Sequence, residues 1–248
     1  MRPLLALLAF VLSLEAAWGV LPLNAIVRSG IHIVPTSGTS PGSMSVMLET
    51  SEDAWGDGTH PSTALCLDFL AQRGFGPEDH LLDFGCGSGV LAMAALRLGC
   101  PSATGVDVDD EVLACAERNR LINNITNIDF QHVRSVVPGE SPAATVVVAN
   151  ILVGQLSRPS MIATLALATE PGAHLCLSGF RPGDQTETLR KLYEPYFDFD
   201  MEKYAEAKPD AHGQEYWGTW ARLVARRRDL RHNSQKQLLT DLSEAALG

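Results

Sequence analysis

A loop of alternating glycines follows a short apolar run and carries an acid just ahead of it, in the segment Asp83-Phe-Gly85-Cys-Gly87-Ser-Gly89. Glycine lets the backbone turn sharply and lets a ligand lie against bare peptide groups. The G-x-G-x-G spacing differs from the G-x-G-x-x-G of pyrophosphate-binding turns, and the Asp83 carboxylate would repel a pyrophosphate. The pattern favours a cationic, amine-bearing ligand such as S-adenosylmethionine, held by Asp83, Gly85 and Gly87. A tight turn without a ligand is the alternative.

Two polar residues end the strand-like runs that follow. Asp107 closes the run Gly105-Val-Asp107, and an acid about twenty residues after such a loop commonly binds the ribose hydroxyls of an adenosine ligand. Asn150 closes the run 145–150, and its amide oxygen could accept hydrogen bonds from an attacking amine and orient the nitrogen lone pair. We predict that both face the glycine loop, because the carboxyl ends of parallel strands border one crevice. Dehydrogenases also place an acid at the position of Asp107, and Asn150 could instead cap the next helix.

A further glycine-containing loop, residues 54–63, stands ahead of a helical run. Pro61 suits the first turn of that helix, and Thr63 lies near its start. Such a loop could fold over the amino-acid end of the cofactor. His60 is therefore a candidate catalytic residue, and an ordinary surface histidine is the alternative.

The remaining pattern alternates short apolar strands with helices, which predicts a parallel sheet covered on both faces, a doubly wound α/β fold. The predicted strands are 80–84, 103–108, 129–133, 144–149 and 174–178, and the predicted helices are 88–98, 110–123, 155–169 and 184–193. Two further runs, 197–203 and 215–224, with Gly213 near the turn, predict an antiparallel hairpin at the sheet edge.

The first residues have the composition of a targeting segment. Arg2 precedes an apolar run at 4–14, and residues 16–47 contain no acid and many Ser and Thr. A signal core followed by a transit-like stretch is typical of the two-part leader of secondary plastids, whereas a mitochondrial presequence and simple secretion are the alternatives. We predict a leader and linker at 1–45, a folded domain at 46–227, a tail at 228–248, and no stable membrane span in the mature protein.

Net charge and cysteine content limit the binding partners and metal sites that the chain is expected to have. The net charge of −10 argues against binding a nucleic-acid backbone, which requires a basic surface. The five cysteines form no C-x-x-C pair, so neither a zinc site nor a disulfide framework is predicted. Free thiols disfavour secretion. We expect a protein substrate and no metal.

Several segments together resemble the PrmA family, whose members methylate lysines and the N-terminal amine of protein eleven of the large ribosomal subunit. The resemblance covers roughly residues 48–227 and is carried by AWGDGTHPSTALCLDFL, LLDFGCGSGVLAMAALRLG, GVDVD, VVVANIL and WGTWARLVARR. It implies a seven-stranded, Rossmann-like class I methyltransferase sheet with S-adenosylmethionine as donor. It also implies cofactor contacts at Thr63, Gly85, Asp107 and Asn150. Related eukaryotic enzymes methylate lysines of the electron transfer flavoprotein beta subunit in mitochondria.

We therefore predict a protein-lysine N-methyltransferase that acts on a ribosomal protein or on that flavoprotein subunit. Two features depart from the family: few residues precede Leu48, where a separate recognition domain is usual, and Asp57 stands where a small neutral residue is usual. The alternatives are a small-molecule methyltransferase, a non-catalytic scaffold that binds S-adenosylmethionine and, less favoured by the glycine spacing, an NAD-dependent dehydrogenase.

Overall fold

The structure is a computed structural model that describes residues 26–28, 30–35, 43–49, 58–133, 143–208, 218–229 and 240. Its strands are β1 Ile26–Arg28, β2 Ile31–Pro35, β3 Ser45–Leu48, β4 His80–Phe84, β5 Ser102–Asp107, β6 Ile128–His132, β7 Ala144–Asn150, β8 Thr169–Phe180, β9 Phe197–Phe199, β10 Ala205–Ala207 and β11 Trp220–Arg227. Its helices are α1 Pro61–Arg73, α2 Val90–Arg97, α3 Asp110–Ile122, α4 Val153–Leu156, α5 Pro159–Ala168 and α6 Asp184–Tyr193, and a 3₁₀ helix spans Met201–Lys203. No helix within these residues is long and apolar enough to cross a membrane.

The main sheet is mostly parallel. Its strand order is β10-β11-β8-β7-β4-β5-β6, and strands β4 to β8 all run in one direction. Strand β11 runs antiparallel to β8, and β9 and β10 pair with opposite ends of its other edge. Strands β9 and β10 are thus two pieces of one edge strand, so the sheet has seven strand positions. The predicted doubly wound sheet with a C-terminal antiparallel hairpin is confirmed.

The two faces of this sheet carry separate layers of the core. Along β7, Val146 and Val148 point into one cluster, which contains α1, α2 and the N-terminal strands. The alternate residues Val147 and Ala149 point into the other cluster, which contains α4, α5 and α6. This run of consecutive apolar residues is the pattern that a strand buried on both faces requires.

The hairpin is interrupted where the sequence pattern predicted a continuous first strand. The run 197–203 forms β9 and then the 3₁₀ helix Met201–Lys203. The buried Arg222 side chain holds this break, since its Nη2 donates to the Lys203 carbonyl at 3.0 Å. Gly213, which was expected near the turn, lies outside the described residues.

One predicted helix is wrong. The pattern at 155–169 indicated a single helix, whereas the structure has α4 and α5 separated at Ser157 and Arg158, and strand β8 already begins at Thr169. Pro159 is the physical reason, because its ring fixes the backbone and removes an N–H donor, which favours the first position of a new helix.

Three strands at the N-terminus form a second, small sheet. Strand β1 is antiparallel to β2, and β2 is parallel to β3. Folded structure therefore extends upstream of residue 46, where the sequence analysis placed the start of the domain. Of the predicted leader and linker at 1–45, residues 1–25, 29 and 36–42 lie outside the described residues, as does most of the predicted tail.

Candidate functional site

The three sequence features meet at one edge of the main sheet. Phe84 of β4 is level with Val106 of β5 and with Ala149 of β7. The next residue along each strand, Gly85, Asp107 and Asn150, therefore lies at the same carboxyl edge. This is the edge at which ligands bind in open α/β sheets.

The glycine loop needs glycine for both conformation and space. Gly85, Gly87 and Gly89 have φ values of 79°, 53° and 79°, which side-chain-bearing residues rarely adopt. A Cβ on Gly89 would lie 2.6 Å from Cζ of Phe130, and a Cβ on Gly85 would overlap Cγ2 of Ile151. The loop is consequently packed between β6 and the segment after β7, at the carboxyl edge of the sheet.

Asp83 is a buried carboxyl group beneath this loop. Its side chain is 1% exposed, and its Oδ2 accepts a hydrogen bond from the backbone N–H of Ala92 at 3.2 Å. Its Oδ1 has no hydrogen-bond partner. Burial raises the pKa of Asp83 to about 7, and the negative charge of Asp107 adds to the rise. A cation placed nearby would therefore be stabilised by the ionised carboxylate and would favour its ionisation.

Asp107 joins β5 to the glycine loop. Its Oδ2 accepts from the backbone N–H of Gly87 at 3.0 Å, and its Oδ1 accepts from the N–H of Val108 at 2.7 Å. The Oδ1 atom also accepts from the N–H of Asp109 at 3.4 Å. A carboxylate has about four acceptor positions, so Oδ2 retains capacity for a hydroxyl group. The next residue, Val108, is 68% exposed and offers an apolar surface beside them. Asp109 caps α3 by accepting from the N–H of Glu111.

The second half of the crevice is assembled from distant segments. The Nδ2 of Asn150 donates to Oγ1 of the buried Thr63 at 3.4 Å, which joins the end of β7 to the first turn of α1. His60 caps α1, because its Nδ1 accepts from the backbone N–H of Ser62 at 3.2 Å. The ring of His60 also meets Trp220 edge-on, with ring centroids 4.5 Å apart. Residues 50–57, including Asp57, lie outside the described residues.

Sequence reasoning missed two contributors to this half. Trp220 begins β11, and the guanidinium of Arg181 lies 3.9 Å from the centre of its ring. Arg181 also donates to the Thr219 carbonyl at 3.0 Å, which fixes the pair. Trp220 was visible in the sequence WGTWARLV, but no local signal placed it beside His60.

Ile151 was also missed, and it links the two halves. Its side chain packs against Gly85, and its backbone lies against Gly179, where an added Cβ would stand 2.8 Å from the Ile151 carbonyl carbon and closer to its oxygen. Gly179 has a φ of 92°. Both glycines therefore hold the residue that follows Asn150.

The described residues contain no group of three or more His, Cys, Asp or Glu side chains that could hold a metal ion. The crevice brings together the glycine loop, the buried acid Asp83, the acid Asp107 with free acceptor capacity, and the amide of Asn150. This arrangement fits a cationic nucleoside-type ligand together with a second reactant that approaches Asn150.

Comparison with known proteins agrees with this geometry. A sequence model of the family described as ribosomal protein L11 methyltransferase (PrmA) matches residues 26–209. The chain is 38% identical over 180 residues to the ribosomal protein L11 methyltransferase of Hahella chejuensis, covering 72% of this chain and 59% of that protein. It is 41% identical over 170 residues to that of Azotobacter vinelandii, covering 67% and 56%. The chain thus spans less than two thirds of the length of these relatives.

A solved structure shares the fold. The ribosomal protein L11 methylase of Lactobacillus delbrueckii subsp. bulgaricus superposes with a TM-score of 0.61 at 24% identity, covering 80% of this chain and 94% of that one. The relatives named here refer to ribosomal protein L11, so the electron transfer flavoprotein beta subunit gains no support from them.

Proposed function

The chain belongs to the PrmA family of ribosomal protein L11 methyltransferases, and we propose that it transfers methyl groups from S-adenosylmethionine to lysine amines of a ribosomal protein. The curated relatives are named ribosomal protein L11 methyltransferases. The choice of a ribosomal protein as methyl acceptor rests on their name, whereas the proposed methyl transfer rests on the residues of the crevice.

The crevice fits the donor. A bound S-adenosylmethionine would supply a methyl group on a positively charged sulfur, together with an amine, a carboxylate and two ribose hydroxyls. The partnerless Oδ1 of Asp83 would interact with its positive charge, directly or through water. The Oδ2 of Asp107 keeps acceptor capacity for a hydroxyl. The glycine loop keeps its conformation because Gly85 and Gly89 lack the Cβ that would collide with Ile151 and Phe130.

The position of Asn150 carries the proposal. It lies at the same sheet edge as the glycine loop and one residue before Ile151, which contacts Gly85. Its Nδ2 is directed to Thr63, so its amide oxygen is the atom left to accept a hydrogen bond from an incoming amine. Such a bond would aim the nitrogen lone pair at the methyl carbon.

The attacking lysine must first lose a proton, because its reference pKa of about 10.4 leaves it almost wholly protonated at neutral pH. We propose that the proton passes to water before the C–N bond forms and the C–S bond breaks. Most of the acceleration then comes from holding nitrogen and methyl carbon about 3–3.5 Å apart in line, which requires no strong base. His60 caps α1 and contacts Trp220, so we assign it to positioning the entrance of the crevice.

Transfer of labelled methyl groups tests this function. The purified chain is incubated with methyl-labelled donor and ribosomal protein L11, and with ribosomal and mitochondrial protein fractions. We expect label on lysines of the ribosomal protein, and loss of that label in Asn150→Ala. The matched control is Asn127→Ala, since Asn127 lies just before β6 at the opposite edge of the sheet.

Other outcomes would redirect the proposal. Label confined to flavoprotein fractions would transfer the activity to the alternative acceptor. Donor binding with label in small molecules alone would contradict protein methylation. Donor binding without any methylated product would support a scaffold.

We also propose that the chain works in a plastid or mitochondrion, on the basis of the apolar run at 4–14 and the acid-free stretch 16–47. Since Ile26–Arg28 and Ile31–Pro35 are strands of the fold, a cleaved leader would end upstream of residue 26. Sequencing the N-terminus of the protein isolated from its cells, together with fractionation, tests both statements. A secreted mature chain would contradict them.

A further inference from the structure

The outer edge of β3 is covered by side chains. Among the described residues no strand pairs with this edge, since β3 ends the order β1-β2-β3. Because Met44 accepts from His32 of β2, the odd-numbered residues of β3 direct their backbone groups away from that sheet. An unpaired buried edge would leave these groups unsatisfied, at a cost in stability.

Three side chains take the place of a strand, one from α2, one from α3 and one from the residue that caps the C-terminus of α3. Arg97 Nε donates to the Ser45 carbonyl at 3.0 Å. Asn123 accepts from the Met47 N–H at 2.7 Å and donates to the Met47 carbonyl at 2.6 Å. One turn earlier on α3, Asn119 Oδ1 accepts from the Glu49 N–H at 2.7 Å.

Asn119 differs from Asn123 in its second hydrogen bond. Its Nδ2 donates to the carbonyl of Ser88 at 3.0 Å, and Ser88 stands inside the glycine loop between Gly87 and Gly89. Asn119 is 0% exposed, so this bond is shielded from water. Asn123 directs its Nδ2 to Met47 and to the Asn119 carbonyl instead. One amide therefore joins the N-terminal sheet to the loop, and its neighbour does not.

A second contact places the same sheet against the other loop of the site. Gly58, with a φ of 84°, lies directly on Ile33 of β2, where an added Cβ would come within 3.2 Å of Cγ2 and closer to Cδ1. The N-terminal sheet thus touches both the glycine loop, through Asn119, and the residues just ahead of α1. It is in a position to hold the two loops at a defined separation.

We propose that Asn119 is a positioning residue for cofactor binding, which couples the N-terminal sheet to the glycine loop. The inference rests on the proposed binding of S-adenosylmethionine at that loop. Without the amide, the Ser88 carbonyl loses its buried donor and the Glu49 N–H its acceptor, so both segments shift to recover hydrogen bonds. Coupling of this kind is reciprocal, so cofactor binding must in turn stabilise the end of β3.

A matched pair of variants tests the forward direction. Asn119→Leu is expected to weaken binding of S-adenosylhomocysteine, measured by calorimetry, roughly tenfold. Asn123→Leu removes comparable bonds to β3 and leaves the loop untouched, so its affinity should stay within about threefold of wild type. Equal losses of affinity in both variants, or no loss in Asn119→Leu, would overturn the proposal.

Hydrogen exchange on the unmodified protein tests the reverse direction and does not depend on a variant that folds. Adding S-adenosylhomocysteine should slow exchange of the Glu49 amide, whose acceptor is Asn119, more than that of the Met47 amide, whose acceptor is Asn123. If S-adenosylhomocysteine binds but slows exchange of the two amides equally, the coupling through Asn119 is contradicted and the proposed cofactor is retained. If the unmodified chain binds no S-adenosylhomocysteine, the proposed cofactor fails, and the inference with it.

Discussion

The cofactor half and the acceptor half of the crevice are built in different ways. The cofactor half consists of two adjacent strands and their loops, and its joining bond, from Gly87 to Asp107, spans 20 residues. The acceptor half draws on α1, β7, the end of β8 and the start of β11, and the bond between Asn150 and Thr63 spans 87 residues. The bond that joins the cofactor half is therefore local, although Asn119 also links its loop to the N-terminal sheet, whereas the acceptor half exists only when the whole sheet has formed. Substitutions in the two halves should consequently separate binding from turnover.

The strongest test of this separation is Asn150→Ala. We expect kcat to fall roughly 100- to 1,000-fold, as when another enzyme loses one oriented polar group at its reacting centre. Affinity for S-adenosylhomocysteine should stay within about threefold, since the cofactor half is intact. Single-turnover rates and calorimetry check the two quantities. A large loss of affinity with an unchanged rate would assign Asn150 to the cofactor half.

The variant Gly179→Ala tests whether the acceptor half depends on the position of the backbone that carries Asn150. The new Cβ would displace the Ile151 peptide and with it Asn150, and a misplacement near 1 Å can lower kcat roughly 100-fold. Gly183→Ala is the control, because Gly183 has a similar φ of 80° but nothing within 4 Å of an added Cβ. Both variants place a side chain at a residue with positive φ. Similar kcat values in the two would mean that Gly179 does not position Asn150.

The buried Asp83 of the cofactor half should make the stability of the folded chain depend on pH. Burial raises its pKa to about 7 in the folded chain, against about 3.9 when unfolded. The folded state thus holds an extra proton between these values, so stability falls as pH rises from 4 to 7. Relative to Asp83→Asn, the unmodified protein should lose on the order of 2–3 kcal/mol between pH 5 and 8. Chemical denaturation at several pH values measures this difference, and parallel profiles would refute the assignment.

The smallest expected effect concerns Asp107. Asp107→Ala should weaken S-adenosylhomocysteine binding at least about tenfold, because hydrogen bonds to a charged group contribute about 1.5–3 kcal/mol. The rate at saturating donor should change little. Asp109→Ala serves as control, since it removes a helix cap worth about 1 kcal/mol of stability and leaves the loop alone. Unchanged affinity in the Asp107 variant would contradict the assignment of Asp107 to the cofactor half.

The sequence predictions were right for several features that depend on nearby residues and missed a feature that depends on a distant one. Strand β4, helix α6 and the glycine loop lie where their local patterns placed them, because apolar periodicity and glycine conformation act over a few residues. The single helix expected at 155–169 was wrong, since the helical pattern outweighed Pro159. The break in the hairpin escaped prediction because it depends on Arg222, which reaches back to Lys203 across 19 residues.

The amino-acid sequence alone determined the alternation of strands and helices, the glycine loop and the acids beside it. These features arise from steric limits and side-chain types that act within one strand, loop or helix. Only the tertiary structure decided that Trp220 lies between His60 and Arg181, that Gly179 supports Ile151 and that Asn119 joins β3 to the loop. Such contacts join residues far apart in the chain, so they depend on strand order and register, which no local pattern encodes.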